Sequence, residues 1–381
     1  MPFNIEKVIR PNILALAPYR CARDDYSKGV LLDANENAFG SALPIKYKEE
    51  LNRYPDPYHP KIKERIVKLR NVSLIRQVFL GVGSDEVIDL LIRVTCTPGK
   101  DKILTTPPTY GMYSVSAQVN DVGVVHSNLN IENGLYQLRL DDITASLKNN
   151  PEIKVVFLCS PGNPTGTALS HDSIREILKS GYEGIVVVDE AYVDFVDHEN
   201  GTVSSWIDTY PNLVVIQTLS KSFGLAGISP HRLGIALGNP DLIQILNNTK
   251  APYNIGTPAA SIAYEALSDV GLATMNTHRS YLIRQRSMLV QRLLAFPLQG
   301  LGRILGANDA NFILVEILDK NNKPCNVRAG KVYSRLADCL GVVIRLRCKE
   351  YGCFGCVRIT VGTEQDNEYL LDQLEIALKS V

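Results

Sequence analysis

Three apolar runs in series constrain this chain most. Residues 154–159 read KVVFLC, 185–188 read IVVV and 213–216 read LVVI. None of them alternates with polar positions, and β-branched residues dominate, as expected of strands covered on both faces. A helical pattern over 170–180 separates the first two runs, and a fourth run, LGIAL at 233–237, follows the third. Upstream, shorter strand patterns at 79–82, 102–106 and 122–125 are each followed by turn or helix signals. Strands alternating with helices predict an α/β domain built on a parallel, doubly wound sheet. In such a sheet, ligands bind outside the carboxyl ends of the strands.

Polar residues stand at those ends. The first run stops at Ser160-Pro161-Gly162-Asn163-Pro164-Thr165-Gly166, a stiff loop that carries Asn163 to the sheet edge. The second stops at Asp189-Glu190-Ala191-Tyr192, and the third leads through Thr218 and Ser220 to Lys221. Asn163, Asp189 and Lys221 therefore converge on one crevice. The segment 218–234, TLSKSFGLAGISPHRLG, combines an amine, flanking hydroxyls, small residues and a guanidinium at Arg232. An aldehyde cofactor carrying a phosphate needs that combination. Taken alone, the segment reads equally well as a surface lysine on a glycine-rich loop. With its neighbours, Asp189 suits a ring nitrogen, and Asn163 and Tyr192 suit a phenolic oxygen. Thr218, Ser220, Arg232 and the helix start at Gly83-Ser84-Asp85 suit a phosphate. Ser84 is expected as the N-cap, and an anion there must meet the backbone while Asp85 and Glu86 turn away. Tyr110, at the end of the 102–106 strand, could stack on a planar ring or be simply buried.

Composition narrows the class. Forty basic residues balance forty acidic ones in 381, so nothing global points to nucleic acid or an acidic membrane. No apolar run approaches the ~20 residues of a membrane span, and MPFNIEKVIRPN lacks the apolar core of a secretory signal. Eight cysteines without such a signal read as reduced thiols. Cys348, Cys353 and Cys356 have the spacing that opens an iron–sulfur site, but no fourth cysteine follows. They are expected to be incidental thiols beside a surface loop, with no metal. The rhythm divides the chain into a loop-rich arm (1–40, with one short strand at 30–32), a large domain (41–270) and a smaller α+β domain (271–381). Strands at 311–316, 342–347 and 357–362 belong to the smaller domain. The rings of Tyr54-Pro55-Asp56-Pro57-Tyr58 could plug the core or reach a neighbouring subunit.

SPGNPTG, VVVDEAY and TLSKSFGLAG resemble the signature segments of fold-type I pyridoxal-phosphate aminotransferases. Within that group, APY at 17–19, LDANEN at 32–37, RYPD at 53–56, GVGSDE at 81–86 and VRITVGT at 357–363 resemble the histidinol-phosphate aminotransferase family, and the N-terminal wording resembles its fungal branch. The resemblance implies a three-layer α/β/α large domain with a mostly parallel sheet, pyridoxal 5'-phosphate as cofactor, and a cytoplasmic homodimer whose arm packs with the small domain and the partner. It implies Lys221 as the Schiff-base lysine, Tyr110 stacked on the ring, and Tyr54 of the partner subunit at the cofactor phosphate. Arg358 and Arg345 would face the substrate's anionic end, with Tyr19 and Asn35 in the same pocket. The substrates would be histidinol phosphate and 2-oxoglutarate, with glutamate as a product. One arginine fork can accept either a phosphate ester or a carboxylate. An aromatic amino-acid aminotransferase, a threonine-phosphate decarboxylase-like enzyme and a non-catalytic binding module are the other readings. The sequence departs from the family pattern where Ser229-Pro230-His231 stand before Arg232, which displaces that arginine, and where Ala38 replaces a proline.

Overall fold

Alternate residues of a strand point to opposite faces, and this protein buries both. The structure, a computed structural model, describes residues 3–18, 32–43, 50–228, 232–295 and 299–381. Seven strands form the main sheet: β1 (Val78–Val82), β2 (Lys102–Thr105), β3 (Gly123–His126), β4 (Ile153–Cys159), β5 (Ile185–Asp189), β6 (Leu213–Thr218) and β7 (Leu233–Leu237). Their order is β1-β7-β6-β5-β4-β2-β3. Val156, Leu158, Val186, Val188 and Val215 enter one core with the helices Pro60–Arg70 and His171–Lys179. Val155, Phe157, Val187, Val214 and Ile216 enter a second core with the helices Gly83–Thr95, Met112–Val119 and Pro240–Thr249. Three layers result. Each fully buried Val, Leu or Ile contributes roughly 1.5–3 kcal/mol relative to exposure, which explains why these runs carry no polar alternation.

The fourth run differs from expectation. β2 pairs in parallel with β3 and β4, and β4–β5–β6 continue in parallel. β7, however, lies antiparallel between β6 and β1. The segment from Leu219 to Arg232 starts and ends at the carboxyl end of β6, where the Leu219 amide donates to the Leu233 carbonyl (3.1 Å). The chain therefore re-enters the sheet at the end it left, and runs back. Gly234 lets β7 pass against the start of the Gly83–Thr95 helix. A Cβ at Gly234 would stand 2.0 Å from the Gly83 carbonyl oxygen.

A second, antiparallel sheet holds β8 (Leu301–Leu305), β9 (Phe312–Ile317), β10 (Arg345–Leu346) and β11 (Cys356–Thr360) in the order β10-β11-β9-β8. It shares a core with the helices Asn326–Cys339 and Glu364–Ser380 and with Leu289 and Leu293 of the 27-residue helix Asp269–Ala295. The strand expected over 342–347 shortens to β10, where Arg345 and Leu346 pair in register with β11. Cys348, Cys353 and Cys356 are buried in the packing beneath this sheet rather than lying by the surface. The arm is less irregular than expected. Helical turns form at Ile5–Val8, capped by the Asn4 side chain, and at Pro11–Leu14, with proline at the first position. The strand expected at 30–32 falls mostly outside the described residues. Among those described, no helix is long and apolar enough to cross a membrane, and no group of three or more His, Cys, Asp or Glu could hold a metal ion.

Candidate active site

The carboxyl ends of β4, β5 and β6 open into a cavity of about 320 Å³, within the range of roughly 300–1,000 Å³ usual for small-molecule sites. Register explains the convergence: Cys159 at the end of β4 pairs with Asp189 on β5, and Asp189 pairs with Ile216 on β6. The structure brings Asn163, Asp189, Tyr192, Thr218, Ser220 and Lys221 to this cavity. Gly83, Ser84, Asp85, Tyr110 and Arg232 close one side, and Arg345 and Arg358 the other. Sequence reasoning assigned no role to Cys159, Ala191 or Arg347; all three line the cavity.

Asp189 is 2% exposed. Its Oδ2 accepts from the Tyr113 hydroxyl at 2.6 Å, and its Oδ1 from the Ala191 amide at 3.2 Å. Burial pushes its carboxyl up to about 6, while the Tyr113 and Ala191 donors hold it down. Burial, with Arg358 and Arg232 adding to it, lowers Lys221 below the usual ammonium range. Among the described residues the Lys221 side-chain amine makes no hydrogen bond, and its Nζ stands 5.5 Å from the centre of the Tyr192 ring. The loop that carries Lys221 is tethered from below. The Ser222 hydroxyl donates to Asp194 Oδ2, and Arg70 grips Asp194 through two bonds (2.7 and 3.1 Å). Asp194→Asn would leave the Arg70 guanidinium buried without its counter-charge. Chemical denaturation should then show a loss of about 3–5 kcal/mol.

At the helix start, the structure corrects one expectation. Ser84 is not the N-cap; the helix begins at Gly83, with Val82 at the cap position and no side-chain cap. First-turn amides are thereby left for another acceptor. Glu86 has turned away, accepting from the Val82 amide and from Asn254 (2.9 Å), and Asp85 accepts from the Tyr110 hydroxyl at 3.1 Å. Arg232 returns to this point despite the residues preceding it. Its carbonyl accepts from the Gly83 amide and its Nη2 lies 3.8 Å from Asp85 Oδ2. Ser229, Pro230 and His231 lie outside the described residues.

The opposite wall is cationic. Arg345 on β10 pairs in register with Arg358 on β11. Asn163 Oδ1 accepts from Arg358 Nη1 (2.6 Å) and Arg347 Nη2 (3.2 Å), so its amide group keeps its donors for the cavity. Glu350 binds Arg347 Nη1 at 2.7 Å. The Nε atoms of Arg347 and Arg358 are buried with no partner among the described residues. Two residues are not brought to this cavity: Tyr54, which is stacked on Tyr253 with ring centres 4.6 Å apart, and Asn35, whose backbone is left-handed (φ 54). Tyr19 lies outside the described residues.

A three-layer sheet with a lysine beyond one central strand and a buried carboxylate ending the next is the frame of a fold-type I aminotransferase. Residues 27–374 match the family model Aminotransferase class I and II. The histidinol-phosphate aminotransferase of Schizosaccharomyces pombe is 47% identical over 99% of this chain and 98% of its own length. That of Candida maltosa is 44% identical over 100% and 99%. The chain belongs to the histidinol-phosphate aminotransferase family. The structure of the Sinorhizobium meliloti histidinol-phosphate aminotransferase in complex with pyridoxal-5'-phosphate superposes with a TM-score of 0.76, covering 91% of this chain and 90% of that one at 19% identity. At that identity the likeness speaks for the fold.

Proposed function

We propose that this chain is a pyridoxal-phosphate-dependent aminotransferase of L-histidine biosynthesis. It transfers the amino group of L-histidinol phosphate to 2-oxoglutarate, giving 3-(imidazol-4-yl)-2-oxopropyl phosphate and L-glutamate. The observation that carries this reading is one cavity with an uncommitted lysine, a buried carboxylate and orphaned helix-start amides on one side, and unsatisfied guanidinium donors on the other.

The donor set fits the cofactor. The amides of Ser84 and Asp85, the hydroxyls of Thr218 and Ser220, and Arg232 would hold its phosphate. Asp189 would face its ring nitrogen, Tyr110 its ring face, and the Asn163 amide and Tyr192 hydroxyl its phenolic oxygen. When bound, pyridoxal phosphate supplies the electron sink that lets hydrogen leave the amine-bearing carbon as a proton. Lys221 would hold the cofactor's aldehyde group through Nζ, and as a free amine it would accept and return the proton at the amine-bearing carbon. Its lowered affinity for protons suits both tasks. Histidinol phosphate has a phosphate ester where glutamate has its α-carboxylate. Arg358, supported by Arg347 and Arg345, serves either anion. The working unit is a cytoplasmic homodimer in which Tyr54 of the partner subunit reaches the cofactor phosphate. The arm (1–40) would reach the partner beside the small domain (271–381), but its described residues Val8 and Ile9 enter the second core of the large domain (41–270), and the Arg10 amide donates to the Val94 carbonyl at 2.9 Å.

Protein incubated with histidinol phosphate and 2-oxoglutarate should form glutamate. No glutamate above a Lys221→Ala control, or release of CO2 from threonine phosphate instead, overturns this reading.

A further inference from the structure

We propose that Tyr113 is a positioning residue, whose hydroxyl fixes the Asp189 carboxylate in its charged form and aims it at the cofactor's ring nitrogen. The inference rests on the function proposed above. Tyr113 does not line the cavity; it acts through Asp189. Its ring is fully buried, stacked on Phe157 at 4.7 Å between centres and set edge-on to Tyr110 at 5.7 Å. A phenylalanine would fill that space equally well. A buried hydroxyl is costly unless it is bonded, and this one donates to Asp189 Oδ2 at 2.6 Å. That length falls in the range of about 2.5–2.7 Å for a hydroxyl bound to an anion. The other donor to Asp189, the Ala191 amide at 3.2 Å, is at the long end of ordinary N–H···O geometry.

The charged neighbours do not replace it. Cys159 on β4 faces Asp189 as a thiol that burial pushes up to about 12, and Asp85 from the helix start opposes its charge. Lys221 favours the charged form only until its amine is used. The Tyr113 phenol is held far above the ordinary range by burial and by Asp189, so it donates throughout. Without it, the single proton shared between the ring nitrogen and Asp189 moves toward the carboxylate, and the ring loses the charge that makes it an electron sink.

The test uses purified protein reconstituted with 15N-labelled pyridoxal phosphate, read by the ring-nitrogen NMR shift and by the cofactor's dissociation constant. Tyr113→Phe should move the shift toward unprotonated pyridine and weaken cofactor binding roughly 10- to 100-fold, as loss of one hydrogen bond to a charged group predicts. Replacing Tyr113 by 3-fluorotyrosine, a stronger donor of nearly the same size, should move the shift the opposite way. It keeps the test open if the phenylalanine variant fails to fold. Phe157→Leu, which loosens the ring but keeps the hydroxyl, should leave the shift in place. An unchanged shift in folded Tyr113→Phe, or weaker binding without any shift, reduces Tyr113 to packing and overturns the proposal. Wild-type protein that takes up no pyridoxal phosphate fails the proposed function itself, a result distinct from an unchanged shift.

Discussion

Lys221→Ala should abolish amino transfer while leaving the fold and much of the cofactor's binding surface in place. Losing a positioned general base costs typically about 10²–10⁴-fold, and this variant also loses the amine that bonds the aldehyde. The phosphate-facing groups, Asp189 and Tyr110 do not depend on Lys221, since among the described residues it bonds to none of them. The variant should therefore still take up pyridoxal phosphate, but without the absorption band of a lysine-bound aldehyde. Small primary amines should restore part of the rate. Because Lys221 is lowered by burial, then by Arg358 and Arg232, the wild-type amine is neutral over a wider range than an ordinary lysine. Rescue by a free alkylamine should need a more alkaline pH than the wild-type reaction, since only its neutral form acts. Stopped-flow absorbance of one half-reaction against pH measures both. A Lys221→Ala protein that turns over at the wild-type rate would remove the lysine from the mechanism.

The strands were legible because being covered on both faces leaves a mark on the sequence itself. A run such as KVVFLC has nowhere else to go, and its end is where Asn163 must stand. The direction of β7 was not legible: its composition reports burial, and direction depends on where the preceding loop re-enters the sheet. The same holds for Ser84, a good capping residue that was bypassed because Gly83, at φ +69, already begins the turn. Arg345 and Arg347 are two residues apart and share a strand face, so alternation could not rank them. Only the packing against Asn163 and Glu350 shows that Arg347 reaches inward. Tyr113 gave no local signal, because a tyrosine in an apolar helix reads as core until the carboxylate beside it is seen.

Arg358→Leu should damage both half-reactions, and more evenly than any other change in the cationic wall. Arg358 donates Nη1 to Asn163, stands 4.9 Å over the Phe312 ring, and keeps a buried Nε with no partner among the described residues. Arg347 already spends one nitrogen on Glu350 and another on Asn163, so part of its charge is balanced before any substrate arrives. Removing one side of a desolvated charge pair costs about 2–5 kcal/mol, or roughly 30- to 4,000-fold at 1.4 kcal/mol per tenfold. That loss should appear in kcat/KM for histidinol phosphate and for glutamate alike, because both anions need the same fork. Arg358→Lys should recover little, since an ammonium offers charge without the planar pair of donors. Arg347→Leu should divide the substrates instead. A phosphate ester has more oxygens and more charge than a carboxylate, so histidinol phosphate should suffer more than glutamate. Separate steady-state measurements of the two half-reactions decide the matter. A loss confined to one substrate in Arg358→Leu would mean that the two anions are not held by one shared arginine, and equal losses in Arg347→Leu would mean that Arg347 does not tell them apart.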